Sequence, residues 1–260
     1  MYLGRPSDFH SLSKLTSINF PNSEEVIANS IGDVEFDFSE NYYDMFVRNG
    51  GPGCGKIHKY TFNDWLNGLV PYQLCSSAKR APINLLKKIP LPVLLKESNE
   101  KAVSQFFLGY KGQRAHAHFD QDFKDVIFYN LSGRKKIYVG YPSLKYYERS
   151  KSNWITDHDW FLRNADDIIE LGPLEVAFIP MSVWHAVEYL EDSISINFRF
   201  VRKKEITNYF RNKPRTRSSQ IAAWILNTND CTERLDIESS YNRDIDIEIT
   251  NYLNFKQRDV

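Results

Sequence analysis

The chain has 260 residues, 42% of them hydrophobic and 25% charged, with 33 basic and 33 acidic side chains in balance. This is the composition of a soluble globular protein long enough to bury a substantial core, and zero net charge gives no general attraction to nucleic acid, membrane or any other polyanion. Cys54, Cys75 and Cys231 are far apart and form no CxxC pair, which argues against a disulfide framework or a structural zinc site and suits a reducing, cytoplasmic setting. The opening MYLGRPSDFHSLSKL lacks the apolar stretch of a signal peptide, and no run approaches the length of a membrane span.

Residues 1–57 read as an N-terminal extension packing on a barrel built by later residues, with a glycine-rich loop at Asn49-Gly50-Gly51-Pro52-Gly53. Thr61 is placed to cap a helix, with Asp64 in its first turn. A second helix is expected over about Ala81–Lys88, stopped by Pro90 and Pro92. From Ser104 to Val201 short β-rich runs succeed one another between turn residues: SQFFLGY, RAHAHFD, DVIFYNL, KKIYVGY, EVAFIP, HAVEYL and SISINFRFV. Such spacing predicts an antiparallel barrel or sandwich. Pro142–Gly172 reads as a polar insert of weak helical character. After Arg202 helical patterns return (EITNYFRNK, SQIAAWILN) before an acidic tail. The expected fold is therefore mainly β with flanking helices, a catalytic barrel with its lead-in helices over 58–201 and a helical region over 202–260.

Chemistry concentrates in Arg114-Ala115-His116-Ala117-His118-Phe119-Asp120. In an extended strand, alternate side chains share a face, so His116, His118 and Asp120 are expected to project together. A histidine and a carboxylate two apart can bind one metal as neighbouring ligands, and His185, after Pro180-Met181-Ser182-Val183-Trp184, is the candidate third. Two histidines and one carboxylate on one face of iron leave positions open for O2 and a chelating co-substrate.

The stretch FLGYKGQRAHAHFD…FYNLSGRKKIYVGYP…LEVAFIPMSVWHAVEYLEDSISINFRF resembles the cupin-like Jumonji-C (JmjC) hydroxylases, the group containing the asparaginyl hydroxylase that inhibits hypoxia-inducible factor. The resemblance covers about residues 60–201. It implies a double-stranded β-helix (a cupin or jelly-roll barrel) and a dioxygenase that couples oxidative decarboxylation of 2-oxoglutarate to hydroxylation, with Fe(II), 2-oxoglutarate and O2 as cofactors. It also implies that His118, Asp120 and His185 hold the iron. Lys135, after the Ser132-Gly133-Arg134 turn, matches the lysine for the distal carboxylate of 2-oxoglutarate, with Lys136 facing the other way. Asn197 matches an asparagine near the co-substrate, and Tyr72 a tyrosine bonding the same carboxylate. The chain departs from the family at Ala115, where a threonine is common, and at Arg199, where a bulky aromatic is common. Alternation puts Arg199 on the inward face with Asn197, to hold a co-substrate or substrate carboxylate or to form a salt bridge at the barrel mouth. His116 is expected beside the metal pocket, and with Arg199 and Trp184 it is a candidate substrate contact.

Two other readings stay open. His116-x-His118 and Pro180-x-Ser182-x-x-His185 also resemble the two cupin motifs, serine standing for a glycine, as in a metal-dependent isomerase or ring-cleaving dioxygenase that does not use 2-oxoglutarate. A non-catalytic binding module on the same barrel is the other. The expected substrate is a peptide, protein, amino-acid side chain or other small molecule. RNA is a lesser candidate, since 202–217 carries seven basic residues against one acidic. The apolar run Ile221–Leu226 is expected either to form a homodimer or to pack back on the barrel.

Overall fold

The computed structural model of the protein describes residues 24–41, 43–44, 55–78, 81–89, 103–201, 203–227 and 239–258. The loop expected at Asn49–Gly53, Pro90 and Pro92, and Cys54 and Cys231 lie outside them. Helix α1 (Glu24–Ile31) leads to β1 (Glu35–Glu40), then β2 (His58–Thr61), α2 (Phe62–Leu66), β3 (Leu74–Ala78) and α3 (Ile83–Leu86). Thr61 caps α2 as its position predicts: its Oγ1 accepts the Asp64 N–H at 3.0 Å while the Asp64 carboxylate accepts the Thr61 N–H at 2.7 Å. Helix α3 is shorter than the expected Ala81–Lys88.

The barrel begins with β4 (Val103–Gly109), β5 (Arg114–His118), β6 (Asp125–Ser132) and β7 (Lys135–Gly140). The segment read as a weakly helical insert in fact holds α4 (Leu144–Glu148), β8 (Ser150–Lys151), β9 (Trp154–Ile155), α5 (His158–Asn164) and β10 (Asp167–Leu171). Then come β11 (Val176–Ile179), β12 (Trp184–Tyr189) and β13 (Ser193–Phe200). The second half retraces the first: β10 pairs antiparallel with β7, β11 with β6, β12 with β5 and β13 with β4. Its strands divide between two sheets, one ordered β11-β6-β13-β4 and continuing through β3, β1 and β2, the other β10-β7-β12-β5. A path that doubles back between two facing sheets is a double-stranded β-helix, the expected fold.

Strand β13 shows why this sequence builds a lined cavity. Ile194, Ile196, Phe198 and Phe200 face outward and are buried with Ile27 of α1, Phe36 and Phe38 of β1 and Phe62 of α2. Each such side chain contributes about 1.5–3 kcal/mol by leaving water. The alternate residues Ser195, Asn197 and Arg199 therefore point into the barrel.

Among the described residues, the barrel is followed by helices α6 (Lys204–Arg211), α7 (Arg217–Asn227) and α8 (Ser239–Arg258). Ile221, Ala222, Ala223 and Trp224 of α7 are buried in one core with Phe210 of α6, Tyr252 of α8 and Phe123, Met181 and Val183 of the barrel. The apolar run thus packs back on the barrel. Among the described residues, no helix is long and apolar enough to cross a membrane.

Candidate metal centre

His118 closes β5, Asp120 lies two residues on, and His185 stands directly opposite His118 in the β5–β12 ladder. All three line one cavity of about 390 Å³ inside the barrel. One ligand atom from each lies within 4.8 Å of the others, and among the described residues this is the group of His, Cys, Asp or Glu side chains that could hold a metal ion. The ring orientations are fixed by backbone. His118 Nδ1 lies 2.7 Å from the His116 carbonyl and His185 Nδ1 3.1 Å from the Val183 carbonyl. A carbonyl only accepts, so each Nδ1 carries the proton and each Nε2 keeps a lone pair for an ion. Burial, and then the neighbouring His185, push the His118 pKa down to about 4, favouring that neutral form.

The expectation that His116 shares this face fails, and the cause is a β-bulge. His185 pairs with His118 but Val187 pairs with Ala115, so β5 carries one residue more than its partner across this stretch. The extra residue breaks the alternation: Ala115 and His118 line the cavity, while His116 does not. Its Nε2 bonds the Ile155 carbonyl at 2.6 Å and its ring lies 4.9 Å from that of His158. His158 in turn accepts the Ala117 N–H at 3.1 Å, satisfying a buried backbone donor in the bulge. Its pKa is pushed down to about 3, by burial first and then by His116 and Arg114, which keeps it an acceptor.

Arg199 points inward as alternation predicts and forms a salt bridge, at 3.2 Å to Asp120 and 2.7 Å to Asp122. Burial alone would raise the Asp120 pKa, but Arg199, with His185 and His118 after it, outweighs it and holds the carboxyl below its usual range. The Asp120 carboxylate is thus held ionised and fixed by Arg199.

Lys135 is fully buried at 0% exposure. Its Nζ donates to Ser195 Oγ at 2.6 Å and sits 4.2 Å from the Tyr189 ring centroid and 5.2 Å from that of Phe128, both on the cavity wall. Burial pushes its pKa down to about 7. The Gly133 turn places it (φ +71°), because a Cβ there would strike the Asp192 carbonyl. Lys136 faces the other side and is half-buried. Asn197 lines the cavity; its amide donates to Gln105 Oε1 at 3.0 Å, and its buried Oδ1 has no hydrogen-bond partner.

Two expected contacts lie elsewhere. Tyr72 is 58% exposed, stacks on Tyr110 and donates its hydroxyl to the Lys111 carbonyl at 2.8 Å, outside the cavity. Trp184 is wholly buried in the core, edge-on to Phe119 and Tyr147. It neighbours His185 in sequence, but alternation turns it to the opposite face. Sequence reasoning missed Trp154, which stacks on His118 at 4.8 Å and 17°, and Asn153, whose amide donates to the Phe119 carbonyl, between His118 and Asp120, at 2.8 Å. Both belong to the insert, whose two-residue strands leave no periodic signal. Tyr189, at the end of a strand legible in HAVEYL, and Gln105, the third residue of β4, were accessible to the alternation argument.

A double-stranded β-helix with a His-x-Asp…His group on its inner wall defines a cupin-type barrel equipped to hold a metal ion. No family model matches the chain, and no curated protein matches it. Among solved structures it is similar to the Escherichia coli ribosomal oxygenase YcfD, at 14% identity and a TM-score of 0.40 over 75% of this chain and 49% of that one. A structure of YcfD in complex with cobalt and 2-oxoglutarate is similar at 15% identity and a TM-score of 0.44, with the same coverage. The chain spans about half the length of these structures, which are of a ribosomal oxygenase and not of the asparaginyl hydroxylase that inhibits hypoxia-inducible factor.

Proposed function

We propose that the chain is an iron(II)- and 2-oxoglutarate-dependent oxygenase that hydroxylates a peptide, protein or amino-acid side chain. The observation carrying this reading is Lys135, a wholly buried cation for which the described residues supply no carboxylate, in the same barrel as a two-histidine, one-carboxylate group. Burying a cation without a partner costs several kcal/mol. A ligand that brings a carboxylate to Lys135 and two donor atoms to the ion offsets that cost, and 2-oxoglutarate has both. The donor set fits iron(II), for which two imidazoles and one carboxylate on one face are a recurrent arrangement.

Iron(II) with 2-oxoglutarate and O2 supplies oxidative decarboxylation to succinate coupled to insertion of oxygen into a C–H bond. The remaining work is done by this chain's own residues. His118 and His185 present Nε2, and Arg199 holds the Asp120 carboxylate in place. Lys135 and the Ser195 hydroxyl receive the distal carboxylate. Phe107, Val126, Phe128, Ile179 and Val187 give the cavity its apolar wall and keep water from the reacting atoms. Trp154 and Asn153 keep the His118–Asp120 segment from shifting.

The test is anaerobic titration of iron(II) and 2-oxoglutarate, monitored at the visible metal-to-ligand charge-transfer band, on wild type and Lys135→Ala. A band in the wild type that is lost or weakened in the variant is expected. Iron demonstrably bound with no band would remove the co-substrate and leave a metal cupin that does not use 2-oxoglutarate.

A further inference from the structure

The turn that delivers His185 is tied to a helix outside the barrel, and we propose that this tie is part of the metal centre: Gln220 and Asn227 of α7 are positioning residues that set where His185 stands. The inference rests on the reading that His118, Asp120 and His185 hold a divalent ion.

The path begins at Ser182, whose φ of +64° lies in the left-handed region that glycine occupies without a Cβ clash. A glycine would suit the backbone here better, yet only serine offers the hydroxyl that donates to Gln220 Oε1 at 3.0 Å. One residue earlier, the Met181 N–H donates to Asp125 Oδ1 at 2.9 Å, and the Asn227 amide donates to both oxygens of the same carboxylate at 3.3 Å. Ser182, Asp125, Gln220 and Asn227 are all buried, so water does not readily replace these bonds if the helix moves away.

The tie reaches the ligand through one further link. The carbonyl that orients His185 Nδ1 belongs to Val183, the residue after Ser182. A shift of the turn therefore shifts the acceptor that aims the imidazole, and with it Nε2. The partner ligand is oriented differently: the His116 carbonyl that holds His118 lies within β5, which β9 and Asn153 brace locally. The hydrogen bonds from α7 described above go to the His185 arm, and α7 owes its seat to the packing of Ile221, Ala222 and Trp224 on the barrel core. Gln220 and Asn227 are seven residues apart, two turns along one helix face, so one rigid element grips the turn at both points.

The experiment compares cobalt(II) affinity, by titration of the full chain without co-substrate, with the unfolding temperature of the same samples. The variants are Ser182→Gly, Ser182→Ala and Gln220→Leu, with Phe62→Leu as a control that loosens the separate core shared by α2, β1 and β13, which contains no residue of the turn or of α7. Ser182→Gly and Ser182→Ala are expected to weaken cobalt(II) binding alike, by about tenfold, the low end for groups that orient metal ligands, although the glycine variant melts higher. Gln220→Leu should match them, and Phe62→Leu should keep wild-type affinity at a lowered melting temperature. Wild-type affinity in the serine and glutamine variants overturns the proposal while leaving the metal centre intact. An equal loss in Phe62→Leu overturns it as well, by making the effect one of general stability. A wild type that binds no cobalt(II) overturns the metal centre and this inference together.

Discussion

Lys135 shows what a single residue contributes here and what it costs. Its pKa falls from 10.5 in the unfolded chain to about 7 in the folded one, so between those values the unfolded state binds the extra proton. Wild-type stability should then rise with pH across that window. Lys135→Met is expected to flatten this rise and to raise the melting temperature at pH 7 to 8 while abolishing 2-oxoglutarate binding; a lower melting temperature for the variant counts against the assignment. The co-substrate titration has the opposite slope. A carboxylate at Nζ restores the charge, so binding above pH 7 takes up a proton, and affinity should fall by up to about tenfold per pH unit. In Lys135→Arg the slope should vanish, since arginine stays charged. This residue was legible because the Gly133 turn and strand alternation fix its direction. The roles of Lys135 and Tyr72 both came from resemblance, but Tyr72 had no such local anchor, and nothing in Pro71-Tyr72-Gln73 reveals that the ring would stack on Tyr110.

At the level of elements, the barrel strands could be read from alternation, because β4, β6, β11 and β13 bury apolar residues on one face against N-terminal elements and line the cavity with the other. Two features could not. Strand β10 was lost in DIIEL, where Ile168 is exposed beside buried Ile169 and the alternation signal is only five residues long. The bulge in β5 was lost because inserting one residue leaves composition and pattern unchanged, yet reverses every side chain beyond it. The bulge yields a contrast. His118→Ala should abolish cobalt(II) binding, whereas His116→Ala should keep affinity within about twofold and lower the melting temperature, since His116 fills a buried site and bonds the Ile155 carbonyl. Trp184→Ala belongs with His116→Ala: about 3–5 kcal/mol of stability lost, as for a large core aromatic, and no direct loss of a substrate contact. A Trp184→Phe variant that keeps its stability but loses turnover would restore Trp184 to the substrate site.

For the whole molecule, an ion that binds only the folded state adds to its stability by mass action, about 2.7 kcal/mol at a hundredfold excess over its dissociation constant. Adding cobalt(II) should raise the melting temperature, chelation should reverse it, and Asp120→Asn should remove the response. The larger feature is the continuous sheet that runs out of the barrel through β4 into β3, β1 and β2. Asn41, just past β1, and Cys75 and Ser76 of β3 stand on the cavity wall, although neither strand carries a residue of the ion-binding group. The chamber is thus walled by two parts of one sheet, the barrel strands and the strands that extend them. Substitutions along β3 and at Asn41 should therefore reshape what the chamber admits while leaving the His118, Asp120 and His185 group in place.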